Sequence, residues 1–253
     1  DVEGIVKATS YLGDGSTLDN VGFTPDSRCN LFAGCGVGGT VGAGTDKNIV
    51  MGFCSGYNLN GAIGNIFMGC CVGANASGNY NIAFGRLSGH CLTSGGGNIL
   101  MGSGSGQCIT TGDRNILMGT GNFDVQTGAD YNIGIGFENA TVNDVSGEYN
   151  VLLGTQNARR ITSGCCNTII GQCNGDCLST GFSNVIIGNK NVHQSVLTGC
   201  CNVVLGTLAG ASLTSGNTNV FIGKESGKNF STGSANIVIG PAACLAGTAT
   251  GSA

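Results

Sequence analysis

Apolar and polar positions alternate along this chain in a short pattern that recurs many times. Asn is followed by three mainly apolar residues and then by Gly, and we number each repeat from this Asn as position one. Thirteen copies occur, separated by eight intervals of 17 residues, three of 18 and one of 16. The position-one residues are Asn30, Asn48, Asn65, Asn81, Asn98, Asn115, Asn132, Asn150, Asn167, Asn184, Asn202, Asn219 and Asn236.

So regular a period predicts a stack of similar units, each in contact with its neighbours. Glycines recur at fixed offsets, which indicates tight corners, and no stretch between them is long enough for a useful helix. We therefore expect an all-β fold, a parallel β-solenoid of about 13 rungs and roughly 60 Å in length. Each rung is expected to hold two or three short extended segments.

The extent of the repeat sets the expected domain boundaries. Residues 1–29 do not follow the pattern and are predicted to lead into or cap the stack, because the end of a solenoid exposes unpaired backbone. Residues 30–240 form the predicted repeat domain, and 241–253 read as a C-terminal tail or a linker.

The position-one asparagines are expected at the corner that precedes each strand. An amide there bonds to its own backbone or to the Asn of the next rung, which builds a ladder along the stack. We predict this structural role for all thirteen in preference to a ligand role, and the sequence names no ligand-binding residue.

The strand within each repeat is apolar on both sides. Side chains alternate across a strand, so positions two and four share one face and position three takes the other. We expect positions two and four inside, which leaves the row from Phe32 to Val238 as an exposed apolar stripe. Self-association would cover it, with a homotrimer favoured because closed symmetry hides the stripe in every copy. The alternative is a flattened solenoid whose second segment folds over the row.

Composition narrows the classes of function. Charged residues are 9% of the chain and the formal net charge is −4 without a basic cluster, so we expect no nucleic-acid partner. Gly makes up 48 of 253 residues, but two Pro and no Gly-X-Y period exclude collagen. No apolar run approaches the roughly 20 residues of a membrane span, so no membrane insertion is expected.

The chain has fourteen cysteines. Cys54 and Cys71 hold the same repeat position on adjacent rungs, as do Cys91 and Cys108, which makes them possible stacked pairs at a separation a disulfide can span. Both free thiols and disulfides stay open, and we favour buried free thiols that fill tight corners. The group Cys165, Cys166, Cys173 and Cys177 lacks a CxxC pair or a nearby His, so no metal site and no cofactor are predicted.

For catalysis the sequence offers little, and we predict no catalytic residue. His90 and His193 are isolated, and no GxSxG, Walker or HExxH pattern occurs. Six carboxylates lie close in sequence and would suit a glycan-cleaving pair, although a solvated rim is the preferred interpretation. They are Asp113, Asp124, Asp130, Glu138, Asp144 and Glu148.

Three segments of the repeat resemble the Asn-x-x-Ile-Gly repeats of bacteriophage tail fibres. They are NIAFGRLSGHCLTSGGGN (81–98), NVVLGTLAGASLTSGNTN (202–219) and NVFIGKESGKNFSTGSAN (219–236). The opening GIVKATSYLGDGSTLDNV is similar to segments of marine phage fibres, cyanophages in particular, and the repeat is distantly similar to the heads of trimeric autotransporter adhesins. The resemblance implies a homotrimeric, non-catalytic shaft in the virion that supports host attachment, with other fibre or virion proteins and a host surface glycan as possible partners.

Other functions fit the same fold. A bacterial cell-surface adhesin or a secreted self-assembling filament is the main alternative, and it too would be extracellular. A glycan-cleaving enzyme would use the carboxylates named above. Ice binding would use the Ser/Thr pairs before the third Gly of each repeat, but that row is irregular.

Overall fold

The computed structural model describes residues 25–124 and 127–244, and these form a parallel β-solenoid. Thirteen strands stack in chain order into one parallel sheet, so the expected all-β solenoid with a period of about 17 residues is confirmed. No helix in the described residues is long and apolar enough to cross a membrane.

The strands are short and begin directly after position one of each repeat. The main sheet contains β1 (Leu31–Ala33), β3 (Ile49–Phe53), β5 (Ile66–Cys70), β6 (Ile82–Arg86), β7 (Ile99–Met101), β8 (Ile116–Thr120), β9 (Ile133–Phe137), β10 (Val151–Thr155), β11 (Thr168–Gln172), β12 (Val185–Asn189), β13 (Val203–Thr207), β14 (Val220–Ile222) and β15 (Ile237–Ile239). A second sheet pairs β2 (Thr40–Val41) with β4 (Asn58–Leu59).

Most rungs therefore contain one regular strand, fewer than the two or three extended segments expected. The remainder of the rung returns through turns whose backbone still bonds to the next rung, as when the Gly95 amide donates to the Thr110 carbonyl at 3.2 Å. Register is kept at every step of the main sheet, and each position pairs with its equivalent even where the repeat has 16 or 18 residues. The extra or missing residue is absorbed in the turns.

The core is a double row of apolar side chains inside the rungs. Position three supplies one row, with Val50, Phe67, Leu100 and Leu117 among its members at 0% exposure. Facing residues later in the repeat, such as Leu92, supply the other. The prediction that positions two and four face the interior is therefore wrong, and the row from Phe32 to Val238 is not an exposed stripe.

The position-one asparagines determine which strand positions face the interior. Twelve of the thirteen position-one side chains, from Asn30 to Asn219, are buried with their amides bonded to backbone within the stack, and position three lies on the same side of the strand two residues later. Once position one points inward, alternation sends positions two and four outward.

Candidate functional site

The thirteen asparagines at position one form a continuous amide ladder. The backbone N–H and the Nδ2 of Asn98 both donate to Oδ1 of Asn81, at 2.9 and 3.0 Å, and the same Nδ2 donates to the Gly112 carbonyl at 2.8 Å. Each amide from Asn30 to Asn219 thus ties two rungs together and fastens the end of its own rung. This arrangement leaves the polar groups of a buried column with partners, so the ladder holds successive rungs together.

Asp26 closes the ladder at its first rung, which the sequence reading missed. Its Oδ1 accepts from the Asn30 backbone N–H at 2.8 Å and its Oδ2 accepts from Asn30 Nδ2 at 3.1 Å, so the carboxylate takes the place of a preceding Asn. The hydrogen bond from the Asn30 backbone, followed by that from its side chain, lowers the pKa of the Asp26 carboxyl. Residues 1–24 of the predicted capping segment lie outside the described residues.

A second amide ladder runs through the middle of the rod and was also missed. Its members are buried, and the Asn174 backbone N–H donates to Asn157 Oδ1 at 3.1 Å while Asn174 Nδ2 donates to the Gly188 carbonyl at 2.7 Å. The signal was readable, since an Asn recurs seven residues after position one in five consecutive repeats. These residues are Asn122, Asn139, Asn157, Asn174 and Asn191.

Positions two and four form an apolar face on the outside of the main sheet, and we call it the outer face. Most of its side chains are half-buried by their neighbours along the rod, while Ile135 and Ile187 are 40% and 36% exposed. From β3 onward the paired members are Ile49/Met51, Ile66/Met68, Ile82/Phe84, Ile99/Met101, Ile116/Met118, Ile133/Ile135, Val151/Leu153, Thr168/Ile170, Val185/Ile187, Val203/Leu205, Val220/Ile222 and Ile237/Ile239.

None of the fourteen cysteines is paired in a disulfide, and all are half-buried or exposed, so the expectation of buried thiols is wrong. Cys70 and Cys71 have sulfurs 3.7 Å apart, and the hydrogen bond between them, followed by burial, raises the pKa of the Cys71 thiol. Burial, and then the neighbouring thiol of Cys91, raises the pKa of Cys108. Thiols with raised pKa are weak nucleophiles at neutral pH, which argues against a reactive role for these two.

Four of the six carboxylates named from the sequence accept hydrogen bonds from an adjacent rung. Asp113 Oδ1 accepts from the Gly96 amide, and Asp130 Oδ1 accepts from the Asp113 amide, both at 2.7 Å. Asp144 accepts from the Thr127 amide at 3.0 Å, and Glu138 accepts from Gln156 Nε2 at 2.8 Å. These side chains bond one rung to the next.

Asp124 differs from the other carboxylates. Its Oδ1 is buried without a hydrogen-bond partner, and burial raises the pKa of its carboxyl. Because the pKa of Asp124 is raised in the folded state, its contribution to folding stability is fully present below the ordinary pKa of 3.8. That contribution is lost as the pH rises through the raised pKa of the folded state.

Asp124→Asn is therefore expected to raise the melting temperature at pH 7 by about 2 °C, because the variant buries no charge. The gain should vanish when the pH is lowered past 3.8. Thermal unfolding followed by circular dichroism at pH 3 and pH 7 measures this. Asp144→Asn, which removes a bonded and exposed carboxylate, is the control that should show no gain. An equal gain at both pH values would contradict the assignment.

The two histidines have different surroundings, and neither belongs to a cluster of metal-binding side chains within the described part of the chain. His90 Nδ1 lies 3.0 Å from the Cys71 carbonyl, and His193 Nδ1 is buried without a partner. Across the described residues, no group of three or more His, Cys, Asp or Glu side chains is arranged to hold a metal ion.

In four of the Ser/Thr pairs the first hydroxyl donates to a backbone carbonyl of the next rung. Thr93 Oγ1 donates to the Thr110 carbonyl at 3.0 Å, and Thr110 Oγ1 donates to the Thr127 carbonyl at 2.7 Å. A hydroxyl that already donates to a carbonyl of the next rung has no donor left for an ordered water lattice, so these hydroxyls are poorly suited to ice binding.

Comparison with known proteins returned no relatives. No protein-family model matches the chain, and no curated protein or solved structure matches it. Functional interpretation therefore rests on the residues and their geometry.

Proposed function

We propose that this chain is a non-catalytic structural shaft, one that self-associates through its outer face into a homotrimer and belongs to a fibre used in host attachment. The observation that supports this most is the outer face itself. It presents two apolar side chains on almost every rung from β3 to β15, on the side of the sheet that the chain's own turns do not cover.

The size of the outer face suits a second copy of the chain. Eleven rung steps from β3 to β15 at ~4.8 Å give a length of about 53 Å, and two columns ~7 Å apart give a width of about 10 Å. The resulting area of about 530 Å² lies near the upper end for apolar patches on single proteins and is about two thirds of the ~800 Å² that each partner contributes to a standard interface.

Parallel copies related by a threefold axis would bring the same columns together on every rung. Side chains of one copy would then meet identical side chains of the next, since the sheet keeps register along its full length. Closed symmetry leaves no copy with an uncovered face, whereas an open arrangement would continue to add copies.

Resemblance of the repeats to phage tail fibres supports a place in the virion, with other fibre or virion proteins as partners. A bacterial adhesin or a secreted filament would use the same shaft and is the second candidate. Immunogold labelling with an antibody to this chain separates them, because a tail fibre predicts label on virions, an adhesin predicts label on cell envelopes, and a secreted filament predicts label on neither.

The double variant Ile135→Glu and Ile187→Glu is expected to dissociate the assembly. Two charges per copy would lie buried between copies in the trimer, but in the monomer both side chains reach water. Sedimentation equilibrium should give about three times the 25.2 kDa chain mass for the unmodified protein and the chain mass for the variant.

Val142→Glu with Val196→Glu is the matched control. Both valines are exposed but lie in the turns away from the outer face, so the same charge change should leave the oligomer intact. Far-ultraviolet circular dichroism establishes that each variant keeps its fold. An unmodified chain that sediments as a monomer would refute the proposed assembly, and a dimer would refute its threefold form.

A further inference from the structure

One corner of the rod carries a column of stacked planar side chains. The residue immediately before each position-one Asn points outward there, and the rings of Tyr131 and Tyr149 are stacked with centroids 5.0 Å apart and planes 6° apart. The guanidinium carbon of Arg114 lies 5.4 Å from the Tyr131 centroid, and Arg114 Nη1 donates to the Tyr131 hydroxyl at 2.7 Å. Three consecutive rungs thus present one continuous stack.

The column is interrupted at Gly97, between Tyr80 and Arg114. A Cβ on Gly97 would meet only Arg114 Cγ, at 3.4 Å, so the place that a side chain occupies on the neighbouring rungs is open. The ring of Tyr80 lies over Gly64, on the side away from Gly97, and Tyr80 is 69% exposed. The result is an open groove of about 350 Å³.

Polar groups with spare bonding capacity line this groove beside the Tyr80 ring. Asp113 uses Oδ1 to accept from the Gly96 amide, and its other oxygen accepts no hydrogen bond within the described part of the chain. Asn79 uses Oδ1 to accept from the Ile63 amide at 2.8 Å, and its Nδ2 donates to nothing there. Ser94 adds a hydroxyl, and Arg114 has N–H groups beyond the one spent on Tyr131.

We propose that the groove binds a neutral saccharide, with one pyranose ring in the place left by Gly97. The C–H face of the sugar lies against the Tyr80 ring, its hydroxyls donate to the free oxygen of Asp113, and they accept from Asn79 Nδ2 and Arg114. Small-molecule sites combine an aromatic surface with a few placed polar groups in this manner, and this volume is at the small end of their range. Asp113 and Arg114 balance one another, which favours an uncharged ligand.

A nucleobase would also stack on a tyrosine, but the electrostatics disfavour it. The chain carries a net charge of −4, and Asp113 offsets Arg114 within the groove, so a phosphate group gains no net electrostatic attraction there. The saccharide site is complete within a single chain and stands independently of the proposed trimer. In an assembly each copy would repeat the groove, and weak single-site binding would add through multivalency.

Isothermal titration calorimetry and saturation-transfer NMR test the proposal with maltose, lactose, N,N′-diacetylchitobiose and adenosine monophosphate as probes. At least one disaccharide is expected to bind with a Kd of about 1 mM, a plausible strength for one ring and a few hydrogen bonds. Tyr80→Ala, which removes the ring, should weaken that binding at least tenfold.

Gly97→Tyr is the second variant, because the added side chain fills the groove and the backbone can keep its conformation. Gly97 has φ +68°, and the equivalent Tyr80, Arg114 and Tyr131 already adopt φ between 55° and 58° with full side chains. We expect it to fold, to extend the stack and to abolish disaccharide binding. Tyr149→Ala lies in the same column outside the groove and should bind as the unmodified chain does.

Absence of disaccharide binding at 20 mM (about twentyfold above the expected Kd), or binding that survives both groove variants, overturns the proposal. Binding of adenosine monophosphate alone overturns it in favour of a nucleobase site. The dissociated Ile135→Glu and Ile187→Glu chain should still bind sugar, so failure of the saccharide site is distinguishable from failure of the trimer.

Discussion

Gly119→Ala is expected to lose about 3 kcal/mol or more of folding stability through a single added methyl group. Gly119 belongs to a column of glycines at position five, and a Cβ there would collide with the backbone carbonyl oxygen of Gly136 on the next rung. Both colliding groups are fixed by the parallel sheet, so no side-chain rotation relieves the contact. Chemical denaturation followed by circular dichroism, with hydrogen exchange of β8 and β9, measures the loss.

Gly240→Ala is the matched control for that experiment. Gly240 holds the same position in the last rung at φ +119°, close to the +115° of Gly119, yet a Cβ there would meet nothing within 4 Å. Both substitutions impose the same backbone strain, and only one imposes the collision. Equal losses in the two variants would show that backbone conformation alone requires glycine in this column.

Asn150→Ala is expected to cost about 3 kcal/mol and to open the rod locally. The Asn167 backbone N–H and its Nδ2 both donate to Asn150 Oδ1, at 3.1 and 3.0 Å, and would lose that acceptor inside the stack. The Gly164 carbonyl would lose the bond from Asn150 Nδ2 at 2.9 Å. Because these groups are buried, water does not replace the missing partner. Hydrogen exchange should speed up first in β10 and β11.

Asn58→Ala provides the comparison for the ladder. Asn58 is exposed and donates from Nδ2 to Asn75 Oδ1 at 2.8 Å, so water can replace the bond and the loss should be below about 0.5 kcal/mol. If the two variants lost equal stability, the amide ladder at position one would contribute no more than an ordinary surface contact.

Periodicity was enough to predict the parallel solenoid but not which side of its strand is inside. Both faces of a segment such as Ile99–Met101 are apolar, so alternation alone is symmetric. The burial of Asn98 breaks that symmetry, because a polar residue goes inside only where its bonds are made. Since Asn98 makes its hydrogen bonds inside the stack, Leu100, two residues later on the same side of the strand, belongs to the core.

Other features depend on contacts between rungs, which a linear pattern shows less directly. Asp26 caps the first amide from outside the repeat, so the period gives no hint of it. The groove at Gly97 arises because one rung lacks a side chain that its neighbours have, and it becomes visible only when equivalent positions are aligned in a column. Thiols such as Cys71 proved half-buried because the core rows leave that corner at the surface.

The constant register has a consequence for how such a rod changes over time. Each rung contacts only the rungs above and below, and the turns take up one residue more or less without disturbing the sheet. A duplication of one whole unit in the gene would therefore lengthen the molecule by ~4.8 Å and leave every existing contact but one interface unchanged. The length of the rod can therefore change in small fixed steps, by gain or loss of whole repeats, without a new fold.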